Sequence, residues 1–430
     1  MERILIDFAA EKGAVKPLHA VNNCPIRPMS SQCWGNFDIW PEMGAPYGRT
    51  HDTAHEYHYG LNHVIDISGI FPDFDADESD PASYDFLLTD KLIADTYACG
   101  TEIFYRLGES IDHRVKKYHV NPPKDYAKWA RIAEHIIRHY TEGWADGFRY
   151  KMTYWEIWNE PENTPVCWTG TEEQFRDFFE VAAKHLKACF PHLKIGGPAL
   201  GGVKDYAARF LAEMHRRDVP MDFFSWHRYG RTPEEMLARV EYFREQMDIN
   251  GYGEAESICN EWNYVKNWTD QFVHSLEVIH GIKGAAYAAG CILTCDSAPV
   301  DMLMYYDARP CTFNGLFDYY SMRPLPTFHT LRFFDALYKL GTSVPVSRPE
   351  EGLYAAAAKD GKGNSAIMLC HYDYEETGGP REVALSLSGG AAEYEILLLD
   401  ETHGGETVGT WRPGDALTLA PQSIILLKSL

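Results

Sequence analysis

The central part of the chain alternates short strand-like segments with longer helix-like segments, and this alternation constrains the fold most strongly. The strand-like segments, short and rich in apolar, β-branched and aromatic residues, are Leu18–Asn22, Gly48–Thr50, Thr101–Arg106, Tyr154–Trp158, Lys194–Gly197, Asp222–Trp226, Ser257–Asn260 and Met302–Tyr305. The amphipathic helical patterns between them include Asp125–Tyr140, Glu172–Cys189, Tyr206–Arg216, Glu234–Met247 and Asp270–Leu293. This order indicates βαβ units and a parallel sheet. About eight such units over roughly three hundred residues predict an α/β fold, the (β/α)8 TIM barrel.

The pattern changes after about Leu340, where strand-like segments follow one another without helices. These segments are Leu353–Ala358, Ser365–Tyr372, Glu382–Ser388, Glu393–Asp400 and Ser423–Leu427. Gly-rich turns separate them, which is typical of a small antiparallel β-sandwich. The strand-like segment Arg3–Phe8 is expected to pair with this sheet. We therefore predict a catalytic barrel over residues 17–340 and an accessory β-domain made of residues 1–16 and 341–430.

Composition excludes several classes of partner. The chain carries 62 acidic and 40 basic residues, for a net charge of -22. Such a charge repels phosphate backbones and anionic membrane surfaces, so neither nucleic acid nor membrane is an expected partner. The first residues combine a short apolar run with charges, and the ten cysteines show no CxxC pairing. We expect no signal peptide, reduced thiols and a cytoplasmic location.

The most specific motif is the segment Tyr154–Pro161, with the sequence YWEIWNEP. A predicted strand ends here, which places Glu160 at the carboxyl-terminal rim of a barrel, where active sites of this fold lie. Pro161 ends the strand. Aromatic neighbours are expected to desolvate the carboxyl group and raise its pKa, as a general acid requires. The structural alternative is a surface glutamate that follows a core strand.

A second motif, Ser257–Asn263 with the sequence SICNEWN, also ends a strand in a glutamate, Glu261. Neighbouring amide donors would favour the ionised carboxylate that a nucleophile needs. By strand count, Glu160 and Glu261 end the fourth and seventh strands and oppose each other across the barrel mouth. A separation of about 5–5.5 Å would give a retaining glycosidase, and about 6.5–9.5 Å an inverting one.

These two motifs and Trp226–Tyr229 (WHRY) resemble clan A of the glycoside hydrolases, and the nearest family is glycoside hydrolase family 39. That family holds β-xylosidases and α-L-iduronidases. The resemblance covers the barrel and the appended β-sandwich. It implies a retaining mechanism in which Glu160 is the acid/base and Glu261 the nucleophile. It also implies that Asn159 bonds the sugar 2-hydroxyl, and that His227 and Tyr229 line the site from the sixth strand.

The sequence departs from the family pattern around the nucleophile and the second strand. In family β-xylosidases the nucleophile usually follows Thr and precedes an aromatic residue, Asn and Thr or Ser. Here Asn260 precedes Glu261, and Tyr264 follows the motif. The usual HG signature near the second strand is replaced by Arg49–Asp52 (RTHD). These departures bear on sugar specificity and leave the mechanism intact.

Polar residues near the second strand suit either sugar binding or metal binding. We predict that Arg49, His51 and Asp52 bind the sugar. A structural polar network is one alternative, and a zinc site is another, because the segment also contains His55, His58 and His63. No partner cluster of metal ligands follows downstream, so no metal is predicted.

Other rim residues have two possible roles. Glu109, which ends the third strand, either contacts substrate or holds its own loop. Candidate stacking platforms, each with core packing as the alternative, are Trp34, Trp40, Trp168, Trp262 and Trp268. Trp262 is favoured because it follows the nucleophile. The eighth strand is surrounded by Asp296, Asp301, Tyr306 and Asp307, and the sequence does not choose among them.

The primary hypothesis is a retaining exo-glycosidase that hydrolyses terminal sugars of oligosaccharides, most readily a β-xylosidase. Acid–base chemistry needs no cofactor, and no phosphate-binding glycine loop of the right spacing occurs, so none is predicted. Rival hypotheses are an α-L-arabinofuranosidase, β-galactosidase or β-glucosidase, a non-catalytic carbohydrate-binding barrel, and a metallohydrolase. Oligosaccharides or glycosides are the expected partners, and a homo-oligomer is possible.

Overall fold

The computed structural model describes residues 2–28, 35–53 and 63–430. Two short strands, β1 (Glu2–Asp7) and β2 (Gly13–Ala14), precede a closed barrel. The barrel strands are β3 (Ala20–Asn22), β4 (Tyr47–Thr50), β5 (Glu102–Leu107), β6 (Tyr154–Ile157), β7 (Lys194–Leu200), β8 (Phe223–Gly230), β9 (Glu256–Tyr264) and β10 (Met302–Tyr305). Each pairs in parallel with the next, and β10 pairs with β3. The predicted (β/α)8 barrel is confirmed.

Helices connect the strands on the outside of the barrel. They are α1 (Trp40–Met43), α2 (Ile67–Ile70), α3 (Leu87–Ala98), α4 (Tyr126–Thr141), α5 (Glu172–Cys189), α6 (Lys204–Arg216), α7 (Pro233–Ile249), α8 (Phe272–His280), α9 (Ile282–Asp296) and α10 (Pro326–Leu340). Local sequence explains where several of them begin. The Thr171 and Gln174 side chains form a capping box at α5, and the Thr232 side chain caps α7 just before Pro233.

The predicted single helix Asp270–Leu293 is wrong, because it is two helices. Gly281 lies between α8 and α9 in an extended conformation, and the two helix axes differ by 82°. Both halves are apolar and helical in pattern, so periodicity does not reveal the break. Among the described residues, no single helix has the length and apolar character to cross a membrane. The bent pair α8–α9 meets those two criteria only when its helices are taken together.

A plug of apolar side chains fills the amino-terminal part of the barrel and leaves the opposite end for polar groups. The members of this plug are Ala20, Phe104, Tyr154, Phe223, Ile258, Met302 and Met304. Inward-facing residues of a barrel stack in layers, so this plug is the floor on which the polar layers rest. Polar side chains at the carboxyl-terminal ends of the strands therefore lie above a close-packed apolar layer.

The carboxyl-terminal part of the chain forms two further sheets. Its strands are β11 (Thr342–Ser343), β12 (Leu353–Lys359), β13 (Ser365–His371), β14 (Arg381–Ser388), β15 (Tyr394–Leu399), β16 (Gly404–Trp411), β17 (Ala416–Leu419) and β18 (Ser423–Ser429). A seven-stranded sheet has the order β16-β15-β18-β13-β12-β11-β2, and a three-stranded sheet has the order β1-β14-β17. The strand-like amino-terminal segment joins this region as predicted, but β1 runs parallel to β14, so the smaller sheet is mixed.

The two faces of the seven-stranded sheet have different partners. One face packs with the three-stranded sheet around a core that includes Ile4, Val383 and Ile425. The other continues the barrel core through residues such as Tyr354 and Met368. One apolar core runs from the barrel into this sheet, so the packing marks no boundary between them. The predicted domain boundary between residues 340 and 341 therefore stays a prediction.

Candidate active site

The two glutamates predicted to carry the chemistry converge at the carboxyl-terminal end of the barrel. Glu261 lies in β9, the seventh barrel strand, and Glu160 follows β6, the fourth. One carboxylate oxygen of each glutamate and one ring nitrogen of His227 lie within 4.8 Å of one another. The strand count from the sequence therefore placed both glutamates on the correct strands.

A strained turn orients Glu160. Trp158 and Glu160 have positive φ angles of 73° and 44°, which non-glycine residues rarely adopt. The turn is held because the Glu160 amide donates to the Ala199 carbonyl oxygen at 3.0 Å. The Glu160 side chain is 13% exposed; its Oε1 lies 2.7 Å from His227 Nδ1, and its Oε2 accepts from Asn163 Nδ2 at 3.1 Å. Such outliers persist where the surroundings over-determine them, as at active sites.

The pKa of Glu160 lies below its usual range, contrary to the prediction. Burial raises this pKa, but the hydrogen bond and the charge of His227 lower it by more. The His227 pKa is raised in turn, because the charges of Glu261 and Glu160 outweigh burial, which lowers it. The desolvation expected from the aromatic motif is present. The imidazole that offsets it comes from β8, about 67 positions away in the chain.

Glu261 is held by side chains from other strands rather than by the neighbouring amides. Its Oε1 accepts from Arg49 Nη1 at 2.7 Å, and its Oε2 accepts from the Tyr229 hydroxyl at 2.9 Å. His51 Nε2 lies 3.6 Å from Oε1, and His227 Nδ1 lies 3.4 Å from Oε2. Burial raises the pKa of Glu261 by more than His227 and Arg49 lower it. The predicted effect of amide donors is therefore wrong.

The amides flanking Glu261 bond elsewhere. Asn260 Nδ2 donates to Glu156, and Asn263 Nδ2 donates to the Tyr306 carbonyl oxygen at 2.6 Å. Glu156 is fully buried inside β6 and also accepts from the Ser225 hydroxyl at 2.6 Å. Glu156 was not among the site residues predicted from the sequence. A charged residue inside an otherwise apolar strand was the signal that would have identified it.

The buried guanidinium of Arg49 joins these groups. Arg49 Nε donates to Glu156 Oε2 and Nη2 to Asn159 Oδ1, both at 2.7 Å. Its Nη1 donates to Asn22 Oδ1 at 3.1 Å as well as to Glu261. The side chain has no exposed surface. The prediction that Arg49 contacts sugar is therefore wrong, because protein acceptors bond its Nε and both Nη atoms.

The remaining predicted rim residues divide into two groups. His51 and Asp52 lie at the site, with His51 Nε2 3.7 Å from Asp52 Oδ1, and their contact with sugar stays a prediction. Glu109 accepts from the Ser68 amide at 3.0 Å and from the Ser68 hydroxyl at 2.6 Å. Burial and the charge of Asp66 raise the pKa of Glu109 to about 8. Glu109 thus ties the end of β5 to α2, and its contact with substrate stays a prediction.

Among the candidate platforms that the structure describes, only Trp268 is exposed beside the site. Trp262 is fully buried against Tyr287 and Tyr305, because alternation along β9 turns it away from the face that carries Glu261. The favoured prediction, stacking by Trp262, is therefore wrong. Trp268 is 58% exposed, and its ring lies edge-on to Tyr229 with centroids 5.0 Å apart.

The other candidates have other surroundings. Trp40 and Trp168 are buried in the core, whereas Trp34, His55 and His58 lie outside the described residues. Phe313 stacks with Trp268 at a centroid distance of 5.9 Å and continues this aromatic wall.

Tyr306, which directly follows the eighth barrel strand, belongs to the same wall. Its ring lies 6.3 Å from Tyr229 and 5.8 Å from Phe313, centroid to centroid. Asp307 is buried and accepts from Asn23 Nδ2 at 2.8 Å, and burial raises its pKa to about 6. The remaining two acidic candidates lie elsewhere. Asp296 bonds to Lys12 and Ser343, and Asp301 accepts from the Ser257 amide.

Two groups of potential metal ligands occur among the described residues. One is the set formed by Glu160, His227 and Glu261. The other joins Glu134, His185 and Cys189 on α4 and α5. In this second group the Glu134 carboxylate accepts from Arg138 at 2.8 Å and lies 2.7 Å from His185 Nε2, so its oxygens already have partners.

The network predicts a measurable stability effect for Arg49→Lys. An ammonium group cannot reach the separate acceptors that the planar guanidinium spans. We expect the free energy of unfolding, measured with urea, to fall by about 1.5–3 kcal/mol or more. This range is the contribution of one hydrogen bond to a charged group. The control is Arg216→Lys, since Arg216 is 68% exposed and pairs with Glu213 on the surface of α6. Its effect should stay within about 0.5 kcal/mol. Equal effects of the two substitutions would contradict the assigned role of Arg49.

Comparison with known proteins adds independent information. The family model described as glycosyl hydrolases family 39 matches residues 74–280, a range that contains both glutamates. A β-xylosidase of Geobacillus stearothermophilus is 27% identical over 343 residues, which cover 70% of this chain and 66% of that protein. A β-xylosidase of Caldicellulosiruptor saccharolyticus is 27% identical over 34% of this chain and 31% of its own length. The matches thus span less than two thirds of either curated relative.

Solved structures match over nearly the whole chain. A glucosidase from Croceicoccus marinus has a TM-score of 0.81 at 20% identity. The alignment covers 100% of this chain and 98% of the glucosidase chain. A monomeric β-xylosidase from Caulobacter crescentus CB15 has a TM-score of 0.73 at 17% identity, with 100% and 99% covered. These identities show the common fold. The family model and the curated relatives support glycoside hydrolase family 39, the family that the motifs resemble.

Proposed function

We propose that this glycoside hydrolase is a retaining exo-glycosidase in which Glu160 is the acid/base and Glu261 the nucleophile. The observation that carries the proposal is the separation of the two carboxylates, whose oxygens approach within 4.8 Å. Retaining enzymes place these groups about 5–5.5 Å apart, whereas inverting enzymes need about 6.5–9.5 Å to admit a water molecule.

In the first step, Glu261 attacks the anomeric carbon while the glycosidic carbon–oxygen bond breaks. Glu160 gives its proton to the departing oxygen, and a glycosyl ester of Glu261 forms. In the second step, Glu160 takes a proton from water as the water oxygen attacks the same carbon. The ester bond breaks, and Glu261 leaves as a carboxylate. Arg49 and Tyr229 bond to Glu261 and orient it for attack.

The short hydrogen bond between His227 and Glu160 supplies the acid proton in this scheme. The lowered pKa of Glu160 and the raised pKa of His227 favour a proton on the imidazole in the free enzyme, 2.7 Å from Glu160 Oε1. Transfer along this bond turns the ion pair into a neutral acid and a neutral imidazole without taking a proton from solvent. Formation of the Glu261 ester removes one of the two negative charges that raise the His227 pKa, which favours a neutral imidazole while Glu160 acts as base.

Asn159 is positioned to bind the sugar. Its Oδ1 accepts from Arg49, and its buried Nδ2 has no partner among the described residues. An unpaired buried donor costs about 1–3 kcal/mol, which a substrate hydroxyl would recover. This arrangement supports the contact with the 2-hydroxyl that the family resemblance implies.

The finer assignment to a β-xylosidase is also a proposal. It is supported by similarity to two curated β-xylosidases at 27% identity. A β-glucosidase is the second candidate, because the Croceicoccus marinus glucosidase has a TM-score of 0.81 to this chain. A cytoplasmic location and a homo-oligomer stay proposals from the sequence.

Substitution of each glutamate tests the mechanism. Glu261→Gly should lower kcat for aryl glycosides by about 10³-fold or more, because it removes the nucleophile. Azide should partly restore turnover and give a glycosyl azide of inverted configuration, since it attacks from the face opposite the leaving group. With Glu160→Ala, azide should give the retained configuration. Near-wild-type activity of Glu261→Gly, or an inverted first-formed product from the wild-type enzyme, would refute the mechanism.

A panel of 4-nitrophenyl glycosides identifies the sugar. We expect the highest kcat/KM on the β-D-xyloside and lower values on the β-D-glucoside, β-D-galactoside and α-L-arabinofuranoside. The Glu261→Gly variant serves as the control for contaminating activity. A higher kcat/KM on another member of the panel would replace xylose by that sugar and leave the mechanism in place. Binding without turnover on every member would favour the non-catalytic alternative.

Trp268→Ala should weaken productive binding of a sugar leaving group. Loss of an aromatic contact of about 0.5–1.5 kcal/mol corresponds to a fall of about 2–12-fold in kcat/KM for xylobiose. Xylosyl fluoride has no ring in its leaving group, so its hydrolysis should not change. Trp268→Phe is the matched control and should retain most of the activity. An equal loss on both substrates would show that Trp268 supports the site structurally instead.

A further inference from the structure

A third carboxyl group lies beside the proposed acid/base residue. Glu162 follows Glu160 by two positions in the loop after β6. Both of its carboxylate oxygens are buried, and neither makes a hydrogen bond of acceptable geometry with any described residue. Burial and then the charge of Glu160 raise the pKa of Glu162 to about 7, while backbone amides, including that of Gly201, lower it only partly.

Among the described residues, no lysine or arginine forms an ion pair with Glu162. The titratable groups that face it are Glu160, His227, Tyr206 on α6, and Cys167. The Tyr206 hydroxyl is itself buried without a partner. Burial raises the Tyr206 pKa above its usual range, and so does the charge of Glu162, so the phenol stays neutral.

The loop after β7 closes tightly over this carboxyl pair. A Cβ atom at Gly201 would lie 2.8 Å from Glu160 Oε1, so a side chain at this position would displace the acid/base. Both Glu162 carboxylate oxygens are buried, and only 13% of the Glu160 side chain is exposed, so the interaction between the two groups is weakly screened.

Burying an unpaired carboxylate costs much more free energy than burying a neutral carboxylic acid. Two adjacent carboxyl groups also resist simultaneous ionisation, so their protons are lost in coupled steps. Below neutral pH, Glu162 therefore holds a proton. When it ionises, its new charge raises the pKa of the neighbouring pair formed by Glu160 and His227.

We propose that Glu162 is a positioning residue that keeps the acid proton on the Glu160–His227 pair at higher pH than that pair would hold it alone. The inference rests on the proposed function, because it takes Glu160 to be the acid/base. It involves only a proton that is retained or released, and it needs no further reactant. Glu162 itself makes no contact with the reacting atoms in this scheme.

The test is the pH profile of Glu162→Gln, which keeps the shape but cannot ionise. The alkaline limb of kcat/KM for the best 4-nitrophenyl glycoside should move to lower pH by about 0.5–1 unit, since a neighbouring charge is lost. The corresponding 2,4-dinitrophenyl glycoside has a leaving group that needs no acid, so its alkaline limb should not move. The exposed Glu277→Gln is the matched control and should leave both profiles unchanged.

A second measurement does not depend on activity. A carboxyl group whose pKa is raised by folding binds more protons in the folded state, so stability falls as pH rises from about 4.5 to about 7. In Glu162→Gln this loss should be absent, and the urea midpoint at pH 8 should exceed that of the wild type. Unchanged pH dependence in both experiments would overturn the inference even if Glu160 and Glu261 act as proposed. Inactivity of folded Glu162→Gln on both substrates would also overturn it, since it would make Glu162 essential rather than positioning.

Discussion

The site depends on one buried cation. The Arg49 guanidinium bonds to Glu156 in β6, Glu261 in β9, Asn22 in β3 and Asn159 in the loop after β6. A buried charge is tolerated only when it is paired and its hydrogen bonds are made, and two carboxylates satisfy that condition here. Because the guanidinium is planar and rigid, it also fixes the positions of its partners. The separation between Glu261 and the loop that carries Glu160 is thereby set by geometry inside the barrel.

Above this cation, Glu160, His227 and Glu261 share their protons, so no single residue has an independent protonation state. His227 contacts Glu160 and lies within 3.4 Å of Glu261, so the three groups titrate as a unit. The pKa of Glu160 is lowered and that of Glu261 is raised, the reverse of what their local sequences suggested. In the proposed cycle this matters little, because the proton moves along a 2.7 Å hydrogen bond. What the chemistry requires is a proton on the pair and a charge on the nucleophile.

The accessory sheets reach the same region from outside. The Tyr372 hydroxyl donates to the Arg231 carbonyl oxygen at 2.7 Å, immediately after β8 ends. That strand carries His227 and Tyr229, so the seven-stranded sheet anchors the end of the strand that positions both. The apolar core continues from the barrel helices into this sheet, which makes the contact part of the packing rather than a loose docking. The accessory region therefore stabilises the site without supplying any of the site residues described above.

The sequence by itself determined the barrel, the two strand ends that carry Glu160 and Glu261, and the resemblance to glycoside hydrolase family 39. These features depend on local periodicity and on contiguous motifs, which the order of residues displays directly. Tertiary structure alone decided the role of Arg49, the burial of Trp262, the break at Gly281 and the direction of both glutamate pKa shifts. A pKa depends on which charges lie within a few ångströms, and Arg49 and Glu261 meet across a sequence separation of 212 residues. Such neighbours are created by closing the barrel, and no local pattern encodes them.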